Sequence, residues 1–401
     1  MGNDTDFDDG SSVETLGHDH IPVEIPELSP TCTEDGLTKG IKCKDCDKIL
    51  IEQTTIPATG HTLGSWTIDK FADWGVDGIK HAICSVCGET VTVTLQCSEG
   101  LEYGLNDDGT YYLKGIGKCT DADIVVPVTY NGTPVTAIGH CAFMSNYDIT
   151  SVIVPYGVTS IGDSSFSWCD NLRYINLPES VTYIGNSAFW YCFDLTELSI
   201  PDVITYIGEG AFGCTGLSSI SIDESNTFYH VSGNCLIESK TGKLLAGFND
   251  SVIPDDGSVT AIASNAFAGC GELKSIVIPP SVKTIGGSAF YCCGSLESII
   301  FSEGLESIGY NVFNACSNLT SIRIPDSVIE IGGSAFTWCQ GLESVIIGKG
   351  IANISSGAFN QCTSLKDIFY VGSESEWDSI SKADDWDSNA GDYKIHYNYA
   401  D

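Results

Sequence analysis

Basic residues are scarce: 18 Lys and Arg stand against 53 Asp and Glu, for a formal net charge of −35 over 401 residues. Nucleic acid and anionic membrane surfaces are therefore not expected as partners, because the phosphate term would be repulsive. No apolar run approaches the ~20 residues that span a bilayer, so no membrane insertion is expected. The opening MGNDTDFDDGSS lacks both a basic n-region and an apolar core, so no signal peptide is read there. Catalytic motifs are missing as well: H-E-x-x-H, G-x-S-x-G and the Walker loop do not occur. No histidine stands at a spacing that would serve a cysteine nucleophile, and no catalytic residue is expected.

What the chain has is a period. An Ala-Phe pair or a close variant recurs at Phe143, Phe166, Phe189 and Phe212, and again at Phe267, Phe290, Phe313, Phe336 and Phe359, always 23 residues apart within each run. A fixed period of this length with L-x-x-I-x-I cores marks a solenoid in which each coil buries its apolar residues only by stacking on its neighbours. In LRYINLPESVTYIGNSAF, alternation turns Leu172, Ile175 and Leu177 inward and Arg173, Tyr174 and Asn176 outward. Val181 and Ile184 make a second inward pair, and Ala188 beside Phe189 fills the interior.

The expected fold is a β-rich repeat protein: a leucine-rich solenoid of 23-residue coils with a parallel sheet on one face, preceded by a small Cys/His module. The expected divisions are an acidic, disordered leader over 1–17, the module over 18–95 and a capping hairpin over 96–122. A solenoid over 123–365 then follows, with an inserted hairpin near 226–250, and a terminal cap over 366–401.

The pattern I-G-x-x-A-F-x-x-C-x-x-L-x-x-I-x-I-P resembles the BspA-type leucine-rich repeats of bacterial surface and secreted proteins, from about Asp123 to the end. The resemblance implies adhesion or binding to a protein or glycan on a host or neighbouring cell, no enzymatic chemistry, and an extracellular or surface location with any leader removed. It also implies that IFYVGSESEWDSI, closing in IHYNY, is a C-terminal cap. The outward strand positions are the expected binding surface, on the concave face, with Arg173, Tyr174, Asn176, Glu197, Lys274, Arg323 and Phe369 as its candidate residues. A spacer that displays another domain is the alternative class, and a zinc hydrolase with an open metal position ranks last.

Seven of the 18 cysteines, Cys169, Cys192, Cys270, Cys293, Cys316, Cys339 and Cys362, each lie three residues after a repeat phenylalanine. They form a column of one thiol per coil, and a coil spacing exceeds the roughly 3.8 Å between Cβ atoms that a disulfide prefers. They are read as buried thiols acting as small apolar groups.

The module repeats too. His18 with Cys43-Lys44-Asp45-Cys46 is answered by His61 with Cys84-Ser85-Val86-Cys87. A C-x-x-C turn presents two thiolates at once, and a distant Cys and His can complete a tetrahedral Zn²⁺ site whose closed shell makes it structural. The first set is expected to be His18, Cys32, Cys43 and Cys46, with His20 able to substitute. The second is His61, Cys84 and Cys87 with Asp73 or His81 as fourth ligand. Disulfides, or reduced cysteines without metal, are the competing readings. The segment resembles the G-H and C-x-x-C repeats, typified here by PTCTEDG and IPATGH, that accompany bacterial surface proteins.

Overall fold

The computed structural model describes residues 19–400, so the acidic leader and His18 lie outside the described residues. The described residues divide into two compact units: 19–69 with 79–93, and 70–78 with 94–400.

The larger unit is a coil stack held by two ladders of parallel strands. On one face the strands Ser275–Ile278 and Ser298–Phe301 pair in parallel, as do Ser321–Ile324, Ser344–Ile347 and Asp367–Tyr370. Nearer the N-terminus Asp123–Val125, Ser151–Ile153 and Tyr174–Asn176 do the same. The expected sheet on one face has a second, narrower companion: two-residue strands from Ala261–Ile262 to Asn353–Ile354 pair in register. This second ladder is short because only a residue pair before the next bend is extended; a small residue follows it in each coil, namely Ala263, Gly286, Gly309, Gly332 and Ser355.

The interior is built from the repeated positions. Leu172, Ile175, Leu177, Val181, Ile184, Ala188 and Phe189 are all buried. The phenylalanines stack face to face along the axis, with ring centroids 5.3 Å apart for Phe290–Phe313 and Phe313–Phe336 and interplanar angles of 11° and 12°. A full turn of chain therefore returns each ring to nearly the same orientation, which is how the coil spacing and the ring spacing come to agree.

Around each phenylalanine the turn is tight. The residues two before and two after it carry positive φ, as at Ser164 (52°) and Trp168 (63°), or Ser334 (55°) and Trp338 (62°). That conformation costs a non-glycine residue about 1–2 kcal/mol. Backbone bonds to the next coil offset it, including Ser164 N–H to the Asn186 carbonyl at 2.9 Å and Trp168 N–H to the Trp190 carbonyl at 2.7 Å.

Both ends of the stack are closed. Glu102–Leu105 and Tyr111–Gly115 form an antiparallel hairpin whose second strand starts the parallel ladder against Thr133–Ile138. At the other end Trp386 meets Phe359 edge-on at 5.8 Å, ending the ring column. The short helix Glu374–Ser379 begins in a capping box between Ser373 and Glu376 and buries Trp377, while Lys394–His396 adds a last strand to Asp367–Tyr370.

The interruption between Phe212 and Phe267 is a three-stranded meander, Tyr229–Ser232, Cys235–Glu238 and Lys243–Gly247, rather than a two-stranded hairpin. Its third strand joins the narrow ladder beside Ala261–Ile262. Its first strand supplies Tyr229, whose hydroxyl accepts the Ile207 N–H at 2.8 Å and so satisfies the last strand of the preceding run.

The smaller unit is built from short antiparallel pairs. Pro22–Ile25 lies against Gly40–Cys43, which lies against Ile49–Ile51.

Candidate functional site

The two C-x-x-C segments adopt the same turn. Asp47 N–H reaches the Cys43 carbonyl at 3.0 Å, and Gly88 N–H reaches the Cys84 carbonyl at 2.9 Å. Both turns exit through a left-handed residue, Asp47 (54°) and Gly88 (74°). Each turn also pins the segment carrying its histidine. Lys44 N–H bonds the Ile21 carbonyl at 2.9 Å and Ser85 N–H bonds the Thr62 carbonyl at 2.8 Å, in each case the residue just after a histidine. His20 Nδ1 is thereby placed 3.5 Å from Cys46 Sγ, and His61 Nδ1 3.4 Å from Cys87 Sγ.

Cys32 completes one of these groups, and it is not the expected one. Thr59 N–H to the Thr31 carbonyl (2.9 Å) and Gly60 N–H to the Cys32 carbonyl (3.1 Å) tie its segment to the residues leading into His61. The Cys32 and Cys84 sulfurs lie 3.8 Å apart. Ligand atoms of Cys32, His61, Cys84 and Cys87 all fall within 4.8 Å of one another, and those of His20, Cys43 and Cys46 form a second, three-membered group. The first-unit grouping of Cys32 with Cys43 and Cys46 is thus corrected by the chain path. His20, the residue expected as a possible substitute, faces the first turn, and His18 lies outside the described residues.

The expected fourth ligands of the second set are engaged elsewhere. His81 Nδ1 lies 2.7 Å from Asp69. Asp73 accepts the Thr129 amide at 3.1 Å and its hydroxyl at 3.0 Å. A signal for His20 was present in the spacing: His20 to His61 and Cys43 to Cys84 are both 41 residues, whereas His18 to His61 is 43.

Electrostatics separate the thiols. Backbone N–H groups of Cys87 and Val86 aim at Cys84, and with His61 alongside they pull its thiol down to about 6 despite burial. Cys32 is pushed up to about 11, first by burial and then by sharing protons with Cys87 and Cys84. Glu89 sits 3.6 Å from His61 Nε2, on the far side of the ring from the sulfurs; sequence reading missed it.

On the ladder face the expected binding residues part company. Arg173 pairs with Asp194 at 3.1 Å and is exposed, as are Glu197 and Lys274. Tyr174 and Arg323 are half-buried. Asn176 spends its amide on both backbone groups of Val154 at 2.8 Å, clamping neighbouring coils. Phe369 stacks on His396 at 4.8 Å and is covered further by Tyr399. Also open, and apolar, are Val277 (54 % exposed) and Ile300 (59 %), register partners on adjacent strands. Beside them Lys274, Glu272, Ser275 and Ser295 meet Asn249–Val252, downstream of the meander, around a groove of about 660 Å³.

Among the described residues no helix is long and apolar enough to cross a membrane. The BspA type leucine-rich repeat region matches in six copies over residues 136–245 and 237–366, more than half of the chain. A leucine-rich cell surface protein from Faecalibacterium prausnitzii is 27 % identical, with a TM-score of 0.53 over 71 % of this chain and 96 % of that one. The pneumococcal vaccine antigen PcpA (21 % identical, TM-score 0.58, 68 % and 69 % covered) shares the fold. So does a leucine-rich repeat protein from Eubacterium ventriosum (22 %, 0.52, 74 % and 94 %). No curated protein matches the chain.

Proposed function

The chain belongs to the BspA-type leucine-rich repeat family, and from that membership we propose that it is a non-enzymatic, extracellular or cell-surface binding protein. It recognises a protein or glycan on a host or neighbouring cell through the ladder face of its solenoid. The observation that carries this reading is the pair Val277 and Ile300, two aliphatic side chains adjacent in register and open to solvent beside the groove at Lys274. Ser and Thr are the commonest outward residues elsewhere on the array, as at Ser218, Ser219 and Ser221, and an uncovered aliphatic pair next to a concavity suits contact with a partner. The surface location rests on the family and on the Faecalibacterium relative, described as a cell surface protein. The strongly acidic surface argues against nucleic acid as the partner.

The test is a screen of immobilised glycans and bacterial and host surface proteins with the full chain, followed by V277E/I300E. Binding that is lost in the double variant while its melting temperature stays unchanged supports the reading. Binding retained in that variant moves the contact off this face. No binding in the whole screen favours a spacer.

A further inference from the structure

We propose that Cys32, His61, Cys84 and Cys87 form a structural zinc site that bridges the two halves of the Cys/His unit. The argument is geometric. A tetrahedral Zn²⁺ with Zn–S of about 2.3 Å and Zn–N of about 2.05 Å fixes its ligand atoms at ~3.8 Å for two sulfurs and ~3.6 Å for sulfur and nitrogen. The separation of Cys32 Sγ from Cys84 Sγ is 3.8 Å, and that of Cys87 Sγ from His61 Nδ1 is 3.4 Å. A disulfide would need about 2.05 Å between the same sulfurs. All four ligand atoms lie within 4.8 Å of one another, which gathers the whole set around one position.

Independent features of the unit support the same assignment. The Val86 and Cys87 amides point at Cys84 Sγ, giving the sulfur the donors that a charged ligand needs. Glu89 stands 3.6 Å from the other nitrogen of His61, on the side from which a carboxylate can orient a metal-bound imidazole. Cys32 and Cys84 are buried, and four protein ligands leave no position for a substrate water. The three ligands His20, Cys43 and Cys46 repeat the arrangement without a fourth among the described residues.

The consequence is specific to this chain. Cys32 comes from the first Cys/His repeat, whereas His61, Cys84 and Cys87 belong to the second, so the ion ties one repeat to the next instead of sitting inside either.

The experiment uses the full chain with C46S, which disables the three-ligand group. Zinc content is measured by mass spectrometry, and cobalt is exchanged in to read a tetrahedral, thiolate-rich spectrum. One metal per chain is expected in C46S, lost when C32S is added, and kept when H61C is added, with stronger thiolate-to-cobalt charge transfer. Circular dichroism of the solenoid confirms that the variants are folded. Metal that persists unchanged in C46S/C32S overturns the proposal, as does an absence of metal in C46S. Thiol titration in denaturant without reductant should find all 18 thiols in the parent chain; two missing thiols that return on reduction, and map to Cys32 and Cys84, would mean a disulfide instead.

Discussion

The Cys169 thiol donates to the carbonyl of Phe143, one coil back, at 3.1 Å. The same bond recurs from Cys192 to Phe166, Cys293 to Phe267, Cys316 to Phe290, Cys339 to Phe313 and Cys362 to Phe336, all at 3.1–3.2 Å. The Phe143 carbonyl already accepts the Asn146 amide at 3.0 Å, so the thiol occupies its second lone pair. The column cysteines are therefore apolar fillers that also link consecutive coils.

Removing one such link should be measurable but not fatal. Cys339→Ala deletes a buried sulfur and its bond to Phe313, and about 1–2 kcal/mol of stability should go with it. The check is the urea midpoint at constant m-value. A change within ±0.3 kcal/mol, on the order of measurement scatter, would show that the sulfur–carbonyl contact contributes nothing.

Burial pushes the thiols of Cys169, Cys270 and Cys362 up to about 12 from an ordinary 9.0. A folded-state value above the unfolded one means that the native chain holds its protons more tightly. This contribution is complete below pH 9 and declines as pH rises from about 9 toward 12, where the unfolded chain gains by ionising. Solenoid stability should therefore fall in that window, and Cys169→Ala/Cys362→Ala should flatten the fall. An equally steep decline in the double variant would assign the effect to other groups.

Gly247 occupies the position in its coil that a repeat phenylalanine fills elsewhere: its carbonyl accepts the Cys270 thiol at 3.4 Å, and its amide reaches Ala266. A Cβ there would overlap the ring of Phe267. Gly247→Ala should cost roughly 1–3 kcal/mol through displacement of that ring, read as a lowered melting temperature. Leu245→Ala on the same strand removes volume without a clash and serves as the comparison.

Glu89→Gln keeps the size of the side chain but removes the charge facing His61. Zinc affinity should fall by about 10–100-fold, measured by competition with a chromophoric chelator. An unchanged affinity would exclude Glu89 from orienting the imidazole.

Much of the fold could be read from period and composition alone. The 23-residue spacing identifies the buried phenylalanine and cysteine columns, because a side chain that must stack on its equivalent one coil away tolerates no change of spacing. The meander was only half legible: Tyr229–Ser232 reads YHVS, too polar to announce a strand, and its pairing with Cys235–Glu238 depends on a partner that supplies the apolar face. The binding residues were less legible still. Alternation marks Asn176 and Phe369 as outward, but it cannot report that one clamps Val154 and the other lies under His396 and Tyr399.

By itself the sequence determined that this chain stacks coils and that its Cys/His segments come in two copies. Only the tertiary structure decided which copy owns Cys32. Periodicity constrains residues that repeat in register, whereas a ligand set is chosen by segments meeting in space. Here the backbone bonds of Thr59 and Gly60 to the Cys32 segment carry that cysteine to the second turn, not its own.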